Sequence, residues 1–194
     1  MINQGNKEFN EKLNEIMSIG LKRAGKVIGE FTDSNVILDT KKIHLTEDVS
    51  SLDLFSDHII VQEMEGQELK GKSIFSMVDD ELVKLLEYLE VIDGDIKDDD
   101  AEQLEMILDT YQEIGNIILG NIISVIVDSL GERVKIKLPY IVDKKELSKS
   151  KGIKHIVVDV DFKIEKLNAE GSLCLILEET TIEKMLTKYS ETDR

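Results

Sequence analysis

Between Leu104 and Ile126 apolar positions recur at helical spacing: Leu104, Leu108, Tyr111, Gly115, Ile118, Ile122 and Ile126 gather on one stripe. Asp109, Glu113, Asn116 and Gly120 fall within a narrow arc on the opposite side, with Ile117 and Ile123 at its shoulders. Asparagine is a poor interior helix residue, because its short amide competes with the backbone for hydrogen bonds. Lys, Glu or Gln would make a better exposed surface there. Geometry leaves two readings of the arc open: a solvated face, expected to expose Asn116, or a contact surface bordered by isoleucines.

The same pattern occurs earlier in the chain. At a shift of 98 residues, Glu15-Ile16 falls on Glu113-Ile114 and Ile19 on Ile117. That shift also lays SNVILDTKKIHL onto ERVKIKLPYIVD, both of them strand-like. DHIIVQEMEG then matches KHIVVDVDFK, and GKSIFSMVDDELVKLLEYL matches GSLCLILEETTIEKMLTKY at a shift of about 100. Each half reads as a long helix, three strands and a closing helix. An internal duplication is therefore expected, with halves at 8–92 and 100–190 merged into one domain over 1–194. The fold class expected is α/β in the α+β sense. Two αβββα halves would share a largely antiparallel six-stranded sheet, with both long helices side by side on one surface.

The join, VIDGDIKDDDAEQ, lacks EF-hand spacing and a glycine at the turn position. It reads as a solvated linker, with Asp100 as N-cap and Glu102 near the positive end of the helix dipole. KKELSKSKG, at 144–152, reads as a surface loop. Pro139 is the chain's one proline, and its strand-like surroundings predict an edge or a bulge.

Charge narrows the partners. Forty acidic against 24 basic residues give a formal net charge of −16, and such a surface repels phosphate backbones, so nucleic acid is not an expected partner. The N-terminus has no apolar signal core, and IILGNIISVIV is too short to span a bilayer. A soluble, cytoplasmic protein with no membrane partner is expected. The single cysteine, Cys174, permits no intrachain disulfide and reads as a buried strand residue. His44, His58 and His155 each stand alone in strand-like segments, as core or edge histidines. No metal site, nucleophilic triad or phosphate loop is visible.

EIGNIILGN, with an aspartate four residues before its glutamate, resembles the signature of the CheC/CheX/FliY family of chemotaxis phosphatases. That signature is Asp or Ser, three residues, Glu, two residues, Asn, often continuing into Gly-Asn. Asp109, Glu113, Asn116, Gly120 and Asn121 match it, and the layout and length most resemble CheC. The resemblance implies hydrolysis of the aspartyl phosphate of the response regulator CheY. Glu113 would pair with the receiver's active-site lysine, and Asn116 would hold the attacking water in line. Asp109, Ile117, Gly120 and Asn121 would support docking. No cofactor of its own is implied; the Mg²⁺ would belong to the receiver. In the first helix Glu11, Glu15 and Ser18 occupy the equivalent arc, but serine replaces the amide and Lys22-Arg23 replaces Gly-Asn, marking a degenerate second site. A rival expectation is a non-catalytic adaptor that binds CheD or a receiver. A monomer is expected, since duplication already supplies a pseudo-dimer.

Overall fold

The computed structural model describes residues 5–49, 52, 54, 56, 58–67, 69–90, 101–130, 133–147, 154–178 and 181. The described residues open with a 28-residue helix, α1 (Gly5–Thr32), which buries Leu13, Ile16, Met17, Leu21, Ala24 and Ile28 at helical spacing. It ends where Asp33 takes a left-handed φ of 46° and the Ser34 N–H donates to the Gly29 carbonyl. Three strands follow, β1 (Val36–Thr46), β2 (His58–Glu65) and β3 (Lys70–Met77), and then a short helix, α2 (Asp79–Tyr88). The second long helix, α3 (Ala101–Leu130), precedes β4 (Lys135–Ile136), β5 (Tyr140–Asp143), β6 (His155–Ile164) and β7 (Ala169–Glu178). The linker at 91–100 with its proposed Asp100 cap, and the closing helix expected beyond Thr181, lie outside the described residues.

The strands form one sheet in the order β1-β6-β7-β3-β2-β4, with β5 also paired to β2, and every pairing is antiparallel. The order is symmetric if β1–β3 and β4–β7 are taken as matching sets, with β4 and β5 as one edge strand. β3 and β7 pair at the centre, and the outer strand beside β2 comes from the C-terminal part of the chain, whereas the one beside β6 comes from the N-terminal part. Seven strands appear among the described residues instead of the expected six, because one edge strand is split. Three residues, Lys137, Leu138 and Pro139, stand opposite only Gln62 and Glu63. Pro139 therefore sits at an edge interruption, where its missing N–H costs the sheet no ladder bond. The other edge strand, β1, also carries one extra residue, Lys41, between Thr40 and Lys42.

Both long helices lie on one face of the sheet. α1 packs on α3 and β1; α3 packs on α1, β2, β3 and β5. Phe75 at the sheet centre is fully buried, with its ring 5.5 Å from Tyr111 and 5.3 Å from Phe162. The opposite face is covered by Val49, Leu52, Leu54 and Leu147 from the connecting segments. Of the loop expected at 144–152, Lys144–Glu146 is a single 3-10 turn and 148–152 lie outside the described residues.

Two expectations about α3 need correction. Leu108, assigned to the core stripe, is 43% exposed, whereas Ile123, assigned to a shoulder of the polar arc, is completely buried. The helix contacts two surfaces at once, so its buried side is wide and includes Ile107, Ile114, Leu119 and Val125. A single-stripe projection assumes one neighbour. By length and composition alone the longer segment Glu105–Asp128 is apolar enough to cross a bilayer, but half of its most apolar window is buried within the fold, as in a core helix.

Candidate functional site

Asp109 and Glu113 are exposed on α3, while Asn116, Ile117, Gly120 and Asn121 are half-buried along the same side. The helix reaches this position through Gly115. A Cβ there would lie 2.6 Å from Ile60 Cδ1 on β2, so any larger residue would push α3 away from the sheet. Gly120 is the opposite case: a Cβ would meet nothing within 4 Å. Its lack of a side chain answers no packing demand within the fold.

Asn116 does not simply face water. Its Oδ1 accepts from Gln62 Nε2 at 3.2 Å, and the same Nε2 donates to the Lys137 carbonyl at 3.3 Å. Gln62 is 3% exposed and faces α3 from β2, between Ile60 and Met64 on that face. Its own Oε1 is buried without a protein partner. One turn earlier on the helix, Gln112 Nε2 donates to the Pro139 carbonyl at 2.8 Å. The strand interruption at 137–139 is thus tied to α3 by two side-chain amides. Leu138, between the two bonded carbonyls, is 84% exposed. Asn121 Nδ2 turns back to the Ile117 carbonyl at 2.7 Å, within its own helix.

Lys137 is held from the other side as well. Its N–H donates to the Glu63 carbonyl at 2.9 Å and its Nζ to Glu63 Oε2; Tyr140 donates its hydroxyl to Glu63 Oε1 at 2.9 Å. The Lys137 ammonium, and after it the Tyr140 hydroxyl, holds the Glu63 carboxyl below its ordinary value. The Tyr140 phenol is pushed up to about 12, by burial first and then by Glu63. Sequence reasoning missed Gln62, Gln112 and Lys137. The signal available was a glutamine at the middle of the Ile60-x-Gln62-x-Met64 alternation, a polar residue on a core-facing row.

The residues of the first helix are placed differently. Glu11, Glu15 and Ser18 are exposed on α1, as are Lys22 and Arg23. Ser18, Lys22 and Gly25 border an open groove between α1 and β1, whose other wall includes Val36 and Leu38. Gly20 brings the two long helices together: a Cβ there would lie 3.4 Å from the Ile122 Cα. Arg23 reaches Asp128 at 4.0 Å, both exposed, so the pair contributes little. Cys174 is no nucleophile. Burial, and then the Asp159 carboxylate to which it donates at 3.2 Å, push its thiol well above the usual range. His155 is buried, and His44 on the edge strand β1 lies 3.3 Å from Asp159.

The fold is shared by FliY, FliM and several chemotaxis proteins. FliY of Thermotoga maritima superposes with a TM-score of 0.71 at 16% identity, covering 98% of this chain and 99% of that one. The middle domain of FliM from H. pylori gives 0.64 at 12% identity, covering 94% and 98%. A chain of the CheX–CheY–BeF3–Mg²⁺ complex from Borrelia burgdorferi gives 0.59 at 20% identity, covering 84% and 97%. No curated protein matches the chain significantly in sequence. The family model described as chemotaxis phosphatase CheX matches residues 59–161, more than half of the chain and a span that holds β3, α3 and β5 with most of β2 and β6. The protein belongs to the CheC/CheX/FliY family of chemotaxis phosphatases.

Proposed function

We propose that this protein docks the exposed side of α3 on a phosphorylated CheY-type receiver and promotes hydrolysis of its aspartyl phosphate. The observation that carries this reading is the pairing of an exposed carboxylate, Glu113, with an amide one turn further on, Asn116, whose carbonyl is held from beneath. Glu113 forms an ion pair with the receiver lysine and sets the register of docking. Asn116 enters beside the phosphoryl group. Its carboxamide donates and accepts while staying neutral next to an anion. Water attacks phosphorus, the P–O bond to the receiver aspartate breaks, and that carboxylate leaves with the electron pair. The receiver's Mg²⁺ neutralises the developing charge, so this chain supplies mainly position. Asp109, Ile117, Gly120 and Asn121 frame the docking surface, and Gly120 keeps it flat. A relative in the same fold class, the Borrelia burgdorferi CheX, forms a complex with CheY, BeF3 and Mg²⁺, which supports a receiver as partner.

The symmetric strand order supports the further reading that the chain arose by duplication, with a CheC-like pair of helices on one cytoplasmic, monomeric domain. A second function belongs to the α1 side. Ser18 supplies no amide there, and the groove between α1 and β1 is open, which favours a non-catalytic contact, with CheD the expected adaptor partner. The deciding experiment is phosphate release from a phosphorylated cognate CheY with and without this protein. Acceleration that disappears in Asn116→Ala supports the reading; no acceleration by wild type overturns it.

A further inference from the structure

We infer that Gln62 is a positioning residue that sets which way the Asn116 carboxamide points. This rests on the phosphatase reading of Asn116 and deepens it. The orientation of an amide is settled by its hydrogen-bond partners, and here the chain of partners starts at a group that cannot flip. The Lys137 carbonyl accepts only, and it is immobilised by the Lys137 N–H and Nζ bonds to Glu63. It therefore demands the NH₂ end of Gln62. The remaining hydrogen of that NH₂ points at Asn116, which must answer with its oxygen. The Asn116 NH₂ is consequently turned away from the sheet, toward the docking side of α3. One lone pair of Oδ1 is used by Gln62 and the second stays available. That leaves two outward functions on one rigid group: N–H donors for a phosphoryl oxygen, and an acceptor for a proton of the attacking water.

Two observations separate this arrangement from ordinary packing. First, Gln62 leaves its Oε1 buried and unpartnered. An apolar residue would avoid that cost, which argues that the amide is kept for another purpose. Second, the helix-facing row of the matching strand in the other half is apolar. The sequence match sets Gln62 against Asp159, but Asp159 meets Cys174 on the other face of the sheet; the helix-facing row of β6 is Ile156, Val158, Val160 and Phe162. The helix above that half carries Ser18 rather than an asparagine. The buried amide is present where the helix amide is present, and both are absent together.

The test combines kinetics with amide-proton exchange. In Gln62→Met, a side chain of similar length without hydrogen bonds, kcat for receiver dephosphorylation should fall roughly 10- to 100-fold with KM nearly unchanged, since Glu113 still docks. The melting temperature should stay within a few degrees of wild type, because an orphaned acceptor has been removed. Wild-type kcat, or a loss expressed mainly in KM, overturns the proposal. Side-chain amide NMR of wild-type protein gives an independent reading that needs no variant to fold. Gln62 NH₂ protons should exchange slowly with solvent and Asn116 NH₂ protons quickly, and Asn116→Ala should speed exchange at Gln62. Slow exchange at Asn116 and fast exchange at Gln62 would reverse the orientation and defeat the inference. If wild type does not accelerate dephosphorylation, the phosphatase reading fails and the catalytic purpose of Gln62 with it, whereas protected Gln62 protons would still establish its hold on Asn116.

Discussion

Glu15 on α1 and Glu113 on α3 both stand exposed on long, packed helices, and what lies beneath each glutamate differs. Under α3 the interrupted edge strand is drawn in by Gln112 and Gln62, so the helix side, the sheet and the 137–139 segment form one hydrogen-bonded unit. Under α1 the corresponding space is an open groove, and the helix-facing row of β6 offers nothing to hold a polar group. A glutamate on a helix is therefore easy to keep and says little by itself. If α3 is the working surface, as proposed, the supported amide is what sets it apart, because rate in phosphoryl transfer depends on holding a small group within a fraction of an ångström.

The largest effect should come from removing that amide. Asn116→Ala should lower the acceleration of receiver dephosphorylation by about a hundredfold or more, with the circular-dichroism spectrum unchanged. Activity at the wild-type level in this variant would erase the proposed difference between the two helices. Glu113→Ala should weaken docking as well as rate. As salt rises, its activity should decline less steeply than that of wild type, since it has already lost a screened ion pair. Identical salt dependence in the two proteins would remove Glu113 from the docking contact.

Two glycines of α3 separate fold from docking. Gly115→Ala drives a methyl into Ile60 and should destabilise the protein by about 1–3 kcal/mol, read from urea midpoints. Gly120→Ala meets open space and should stabilise it by about 0.5–1 kcal/mol, through helix propensity alone. If the receiver needs bare backbone at Gly120, the same variant loses dephosphorylating activity while gaining stability. A destabilised Gly120→Ala protein would contradict the open environment described for that residue.

The smallest effects belong to α1. Ser18→Ala and Glu15→Ala should each change activity less than about twofold, within the range of ordinary surface substitutions. Ser18→Asn, placed in an Asn116→Ala background, should restore only part of the activity. The new amide would lack a buried glutamine below it, and Lys22 and Arg23 would still crowd the surface. Adding Lys22→Gly and Arg23→Asn should increase the gain. A strong loss from Ser18→Ala in otherwise wild-type protein would mean that both helices work, and would dissolve the comparison.

Much of this molecule could be read from the chain alone. Period-2 and period-3.6 patterns marked the long helices and the strands, since each element must turn its apolar side to one place. Pro139 announced an edge interruption, because proline can give no ladder bond. The signature Asp109, Glu113, Asn116, Gly120 and Asn121 led to the family, since its spacing is local to one helix. What the chain could not reveal were relations across it. The exposed Leu108 and buried Ile123 follow from α3 touching α1 and the sheet together, and no single-helix projection contains a second neighbour. The pairing of β1 with β6 and of β4 and β5 with β2, strands distant in the chain, is likewise invisible to local pattern. Gln62 was legible only as a polar residue in an apolar row. Its bond to Asn116, 54 residues away, and to the Lys137 carbonyl, 75 residues away, exists only because β2 is laid between α3 and the broken edge strand. Local periodicity decides which elements form; long-range packing decides which polar groups meet, and here it brings Gln62, Asn116 and the Lys137 carbonyl together.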